Sequence, residues 1–301
     1  MNKISKAIVF FLIVGVLSVI GYFAWAKNGL TATNKNSTVA NTEKSECFVN
    51  DKDSEHKYNQ YKKILSTLPN DKIESIQIAF NTYFKYFSLN DKQIYRDNAF
   101  KLFKDFLEKV SNNTIIEDSN DNIENKKEYY KSLGLMILGG EGGSFAVINF
   151  DFLDKQFSGY LSNPWKEYLK LNANEDKNRF EEDYQILIPW DEIRKRIINR
   201  ENFINKYPTF SENTEIKKYL EGYFKCYIGG LDNSKITNYP RDNKLRLEIK
   251  ISYEKFIKNN KNSQYYQSIV DYYKLLRKHD FVIGEYVNKF LKEKGLGYAN
   301  Y

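Results

Sequence analysis

The sequence predicts a mostly α-helical protein: antiparallel helical hairpins packed as a bundle, with one small β-hairpin insert and an N-terminal apolar helix. Three observations carry that prediction. Apolar residues recur at helical three-and-four spacing through most of the chain after residue 58. Glycines cluster between apolar, partly β-branched runs at one place only, around residues 139–143. An uncharged apolar block, Ala7–Ala26, follows a start that holds Lys3 and Lys6.

The elements follow in order. Ala7–Ala26 is twenty residues without a charge, the length that spans hydrocarbon, with Tyr22, Phe23 and Trp25 where interfacial aromatics anchor. Ala24-Trp25-Ala26 also fits the small-x-small pattern of a cleavage site. Residues 1–26 are therefore a membrane anchor or a signal peptide cleaved near Ala26, and the length favours the anchor. Both place the bulk outside the cytoplasm, as a single-pass protein of the cytoplasmic membrane or as a secreted or periplasmic one. Residues 27–55 are rich in Asn, Thr, Ser and Lys and read as a flexible tether.

Residues 56–160 read as a helical subdomain. Segments 58–68 and 70–87 are broken at Pro69, and Asp71 with Glu74 has the spacing of a capping box. Residues 91–110 repeat the helical pattern; Ser111–Lys127 is polar and reads as a loop. Within 133–153, the runs Leu133–Leu138 and Phe145–Phe152 flank Gly139-Gly140-Glu141-Gly142-Gly143 and read as a hairpin. No Lys-Ser/Thr follows those glycines, so they serve a turn and not a phosphate loop.

Residues 161–301 read as a second, helical-repeat-like subdomain. Asn163-Pro164 resembles an N-cap followed by N1 and opens a helix through Leu171. Residues 175–188 are a further apolar-periodic segment, with Glu181-Glu182-Asp183 suited to a helix start. Helices follow over 190–207, stopped by Pro208, over 214–228, closed by Gly229-Gly230, and over 245–259, 264–279 and 282–294. Arg200–Pro208 (RENFINKYP) is echoed by Tyr253–Lys261 (YEKFIKNNK), and each precedes a helix with adjacent aromatics and Lys, at Tyr223-Phe224-Lys225 and Tyr272-Tyr273-Lys274. Over residues 190–280 this arrangement resembles the helical hairpins of tetratricopeptide-like repeat proteins, which implies an array of helix pairs presenting a binding surface.

Composition narrows the function. The +7 net charge is spread by interleaving, as in Lys101, Lys104, Asp105, Glu108 and Lys109, which reads as a solvated helix face; no basic stripe points to nucleic acid. Arg194-Lys195-Arg196 with Arg200 reads likewise as a surface helix laced with ion pairs. Two Cys and two His exclude a disulfide-dense scaffold and a Cys/His zinc module, and no cofactor or metal motif is present. In an oxidising compartment Cys47 and Cys226 could pair, although the apolar context of Cys226 suits a buried thiol equally well. Abundant tyrosine suits recognition, and Tyr223, Tyr265, Tyr266 and Tyr272 are the candidate binding surface. The expectation is a non-catalytic envelope module that binds a protein, peptide or glycan, an inhibitor or immunity type among the options. The alternative is a hydrolase of cell-wall polymer using Glu141 with a second carboxylate.

Overall fold

The computed structural model describes residues 51–114, 116, 123–140 and 143–296. The predicted N-terminal helix, most of the tether, Cys47 and Glu141 lie outside the described residues. Eleven α-helices and two short antiparallel strand pairs make up the described part.

The first helices are α1 (Asp51–Thr67), α2 (Glu74–Tyr86) and α3 (Gln93–Asn113). Helix α1 begins inside the stretch read as tether, so His56 is helical. It stops before Pro69, where the hydroxyls of Ser66 and Thr67 donate to the carbonyls of Lys63 and Ile64; the Ile64 carbonyl is one of the last-turn groups that lack an intrahelical partner. The expected capping box does not form: the N-cap of α2 is Ile73, and tight backbone bonds from Ser75 to Lys72 and from Ile76 to Ile73 close that end instead. Helix α3 buries Ala99, Phe103, Phe106, Leu107 and Val110 along one stripe, the spacing that puts them on one face.

The polar stretch after α3 is only partly a loop, because α4 (Ile123–Ser132) takes up its end. The hairpin forms as β1 (Leu135–Gly140) and β2 (Gly143–Ile148), with Leu135 opposite Ile148 and Leu138 opposite Phe145. Its second strand is shorter than expected. Asn149 accepts a bond from the Phe152 amide and caps α5 (Phe150–Phe157), so Asp151 and Asp154 are helical and not in a strand. Gly134 stands at φ +84°, where a Cβ would lie 2.9 Å from the Phe152 ring; only glycine fits this entry to β1.

Helix α6 (Asn163–Lys177) has Ser162, not Asn163, as its N-cap residue and continues past Leu171. Of the segment 175–188, only the residues up to Lys177 are helical, as the end of α6. After α6 it folds into β3 (Glu181–Glu182) and β4 (Gln185–Ile186), with Asp183 and Tyr184 both at positive φ, the backbone signature of a two-residue hairpin turn. A distant residue holds that turn: Asn233 donates from its side chain to the Asp183 carbonyl and from its amide to the Tyr184 carbonyl. Then come α7 (Trp190–Lys206), α8 (Asn213–Gly229), α9 (Leu247–Asn259), α10 (Tyr266–Lys278) and α11 (Glu285–Glu293). Gly230 ends α8 at φ +74°, with the Ser234 carbonyl 2.6 Å from where a Cβ would sit. No helix among the described residues is long and apolar enough to cross a membrane.

Buried apolar residues form two clusters. The first draws on α1–α6 and the hairpin and centres on phenylalanine; the second draws on α7–α11. Helices α7 and α8 serve both, Phe203 and Ile216 packing into the first and Ile197 and Leu220 into the second. Between those positions the chain places charge.

Candidate functional site

The buried charge sits where the two clusters meet. Lys104 on α3 is 2% exposed and Arg200 on α7 is 1% exposed, so both leave the solvated faces to which their interleaved acids assigned them. Their partners are remote in sequence. Lys104 Nζ lies 2.8 Å from Glu212 and 3.5 Å from Glu215, and the Tyr168 hydroxyl donates to Glu215. Burial opposes the Lys104 charge, but Glu215 and Glu212 outweigh it and hold the ammonium above its ordinary range. Glu212 moves the other way: burial pushes its carboxyl up, and Lys104 outweighs that and lowers it.

Arg200 donates from Nη2 to Glu175 at 2.8 Å and to Asn172 at 3.3 Å. The other oxygen of Glu175 accepts from the Tyr223 hydroxyl. The guanidinium lies 5.1 Å from the Tyr219 ring centre and 5.4 Å from that of Tyr223. Its Nε and Nη1 have no hydrogen-bond partner among the described residues, and the two ring faces are what they meet. Arg196, one turn earlier and 6% exposed, donates to the Asn178 carbonyl. Each cation is matched to a fixed acceptor, so this seam joins helices and offers no free acid or base.

A concave surface lies elsewhere among the described residues, in a groove of about 250 Å³ where α7 and α9 begin. Its apolar side is Ile186, half-buried, and Ile251, 41% exposed, over a floor of Ile188 and Trp190, which are buried in the second core; Asp191, Arg246, Glu248 and Lys255 stand around them. Trp190 is fixed from behind, since its Nε1 donates to the Tyr227 carbonyl at 2.8 Å. The Arg246 guanidinium stands 5.9 Å from the Trp190 ring centre and donates from Nε to Glu248 at 2.7 Å. Asp191 accepts from Arg194 at 2.9 Å and faces Lys255 at 3.7 Å; the Arg194 bond holds its carboxyl below the usual range. Both acids of the groove are therefore ion-paired. Next in sequence to its lining residues, Leu187 and Leu247 are exposed apolar side chains.

The residues singled out from sequence do not converge here. Tyr272 is fully buried and Tyr223 is 5% exposed, so neither ring faces a partner; both belong to the second core. Tyr265 stacks on Phe224 with centroids 3.8 Å apart, and burial pushes its hydroxyl up to about 12. Tyr266 opens α10 and is half-buried. Cys226 is a buried thiol pushed by burial up to about 11, the opposite of an activated nucleophile; Cys47 lies outside the described residues. Glu141 lies outside them as well. Asp151 pairs with Lys155 and Lys177. Among the described residues no group of His, Cys, Asp and Glu could hold a metal ion.

Sequence reading missed the groove because its walls come from three separated places: 186–191, 234 and 246–255. The available signal was Pro189-Trp190, a large aromatic at the first position of a helix, where its ring stands at the end of the element. Compared with protein-family models, curated proteins and solved structures, the chain finds no match.

Proposed function

We propose that this chain is a non-catalytic binding module of the cell envelope, held at the membrane or exported through residues 1–26. Its groove between α7 and α9 receives an apolar side chain of a protein or peptide partner. One observation carries this reading: the groove has an apolar lining, and its two acids are tied to Arg194, Lys255 and Arg246. An apolar pocket among charges of both signs suits a peptide segment better than a sugar, which needs unpaired polar groups to bind its hydroxyls. The sequence-adjacent packing of α1 on α2, α7 on α8 and α9 on α10 supports an array of helical hairpins as the frame.

The test is affinity capture from detergent-solubilised envelope with the wild-type chain and with Ile251→Glu. Ile251 is 41% exposed, so the change leaves folding within about 0.5 kcal/mol. A stoichiometric partner recovered by wild type and lost by the variant supports the proposal. Equal recovery by both sinks the groove. Release of cell-wall fragments by wild type and not by Glu141→Gln would replace binding with hydrolysis.

A further inference from the structure

The β1–β2 hairpin is apolar on both of its faces. Directly opposed residues share a face, so Leu135/Ile148 and Ile137/Ala146 form one side and Met136/Val147 and Leu138/Phe145 the other. The first side meets the helices: Leu135 is fully buried, Ala146 is 6% exposed, Ile137 and Ile148 pack on the first core, and the Ser111 hydroxyl donates to the Ala146 carbonyl. Among the described residues the second side belongs to neither core: Phe145 is 47% exposed, and Met136, Leu138 and Val147 are half-buried. An antiparallel pair with one face in water alternates apolar and polar, whereas strands apolar on both faces are covered on both.

The size of the face argues for its occupant. Four side chains fall well short of the roughly 800 Å² per partner of a stable protein interface, a second copy of this chain included. A bilayer sets no such minimum when the protein is already held beside it. The chain carries a twenty-residue uncharged segment, Ala7–Ala26, and 24 residues separate it from α1 at Asp51. Fully extended, that connection spans at most roughly 80 Å, so a weak insertion becomes an intramolecular step at high effective concentration. Helix α4 packs on β1 and carries Lys127 and Lys131 on its exposed surface, Lys131 only 3.9 Å from the exposed Glu128; a loose pair of this kind leaves a cation that anionic lipid head groups can share beside an apolar face.

We propose that the outward face of the hairpin, Met136, Leu138, Phe145 and Val147, docks into the head-group boundary of the bilayer. This inference rests on the membrane-anchored reading of residues 1–26.

The experiment uses the full chain with vesicles of phosphatidylcholine and about one-third phosphatidylglycerol, with bromine on the upper acyl carbons. Phe145→Trp is compared with wild type, and the difference in emission reports the introduced indole alone. The expected result is loss of about half of that difference emission, with the quenching reduced at least twofold by adding Leu138→Ser. Unquenched, water-like emission from the introduced indole overturns the proposal. Alkaline extraction of the same vesicles reads the anchor separately. A chain that stays with the membrane while the indole is unquenched loses the hairpin proposal and keeps the anchor. A chain that is extracted loses the anchor and, with it, the hairpin docking that depends on it.

Discussion

The two cores of this protein use their aromatic residues differently. In the first, Phe157 is fully buried and its ring lies within 5.5 Å, centre to centre, of Phe80, Tyr83, Phe84, Phe100 and Phe103. Ring meets ring, and the stabilisation is contact area with edge-to-face and tilted geometry. In the second, aromatics end in polar atoms that finish a helix. The Tyr227 carbonyl, in the last turn of α8, accepts from both Trp190 Nε1 and the Tyr253 hydroxyl at 2.8 Å, while the Tyr227 hydroxyl bonds Ser252 at 2.8 Å. Last-turn carbonyls have no intrahelical partner, and here side chains from α7 and α9 supply it. The first core has directional contacts too, Tyr61 and Tyr83 donating to the Ala79 and Arg96 carbonyls, but its hub is ring on ring, whereas in the second core an indole and a hydroxyl converge on one helix end.

The sharpest way to break that contrast is Phe157→Ala. Removing the hub of a ring cluster forfeits transfer free energy and leaves a cavity, a cost of about 3–5 kcal/mol. Urea denaturation should show it, and a loss below about 1 kcal/mol would mean that the first core does not depend on the hub.

Asp176 tests the packing of α5 on α6. Its carboxylate accepts from the Phe150 amide at 2.6 Å and from the Asp151 amide at 3.3 Å, and burial pushes it up to about 6 despite those donors. The folded chain therefore binds this proton more tightly than the unfolded chain. The stability it contributes is fully present below the unfolded value of 3.8 and is lost as pH rises through about 6. Asp176→Asn keeps an acceptor oxygen and removes the titration. The variant should gain on the order of 2 kcal/mol relative to wild type near pH 7 and little near pH 4. Denaturation at the two pH values checks this, and a difference that does not change with pH refutes it. Asp91, Asp191 and Glu212 carry the opposite sign, since their lowered carboxyls contribute stability that falls away as pH drops.

The smallest effect expected is that of Trp190→Phe, which keeps an aromatic ring but removes one of the two donors to the Tyr227 carbonyl. The cost is about 1 kcal/mol, because Tyr253 still donates. Hydrogen exchange at the end of α8 should quicken while the first core is unaffected. Equal acceleration in both cores would show that the closure is not local.

Much of this architecture was legible in the sequence, and the exceptions share a cause. The spacing of Ile76, Phe80 and Phe84, the stop at Pro69 and the Gly229-Gly230 end are local signals and stand where expected. Residues 181–186 took a turn because Asn233, some fifty positions away, holds it. Phe150, Asp151 and Phe152 left the strand because a single side chain, Asn149, caps a helix there. Lys104 and Arg200 looked solvated because the acids beside them in sequence concealed Glu212 and Glu175. The groove was illegible for the same reason: three distant segments build it.

The pairing of Arg200 with Glu175 has a consequence for dividing the molecule. The link between α6 and α7 is the exposed β3–β4 turn at Asp183 and Tyr184, a natural place to cut. A cut there would leave Glu175 and Lys104 in the front fragment and Arg200, Glu212 and Glu215 in the back one, each parted from its partner. Neither piece could shelter its ions alone, and each carries the counter-charges the other lacks. The same seam that welds the uncut protein would make its two fragments seek each other, a ready basis for a split pair that regains its structure only on reunion.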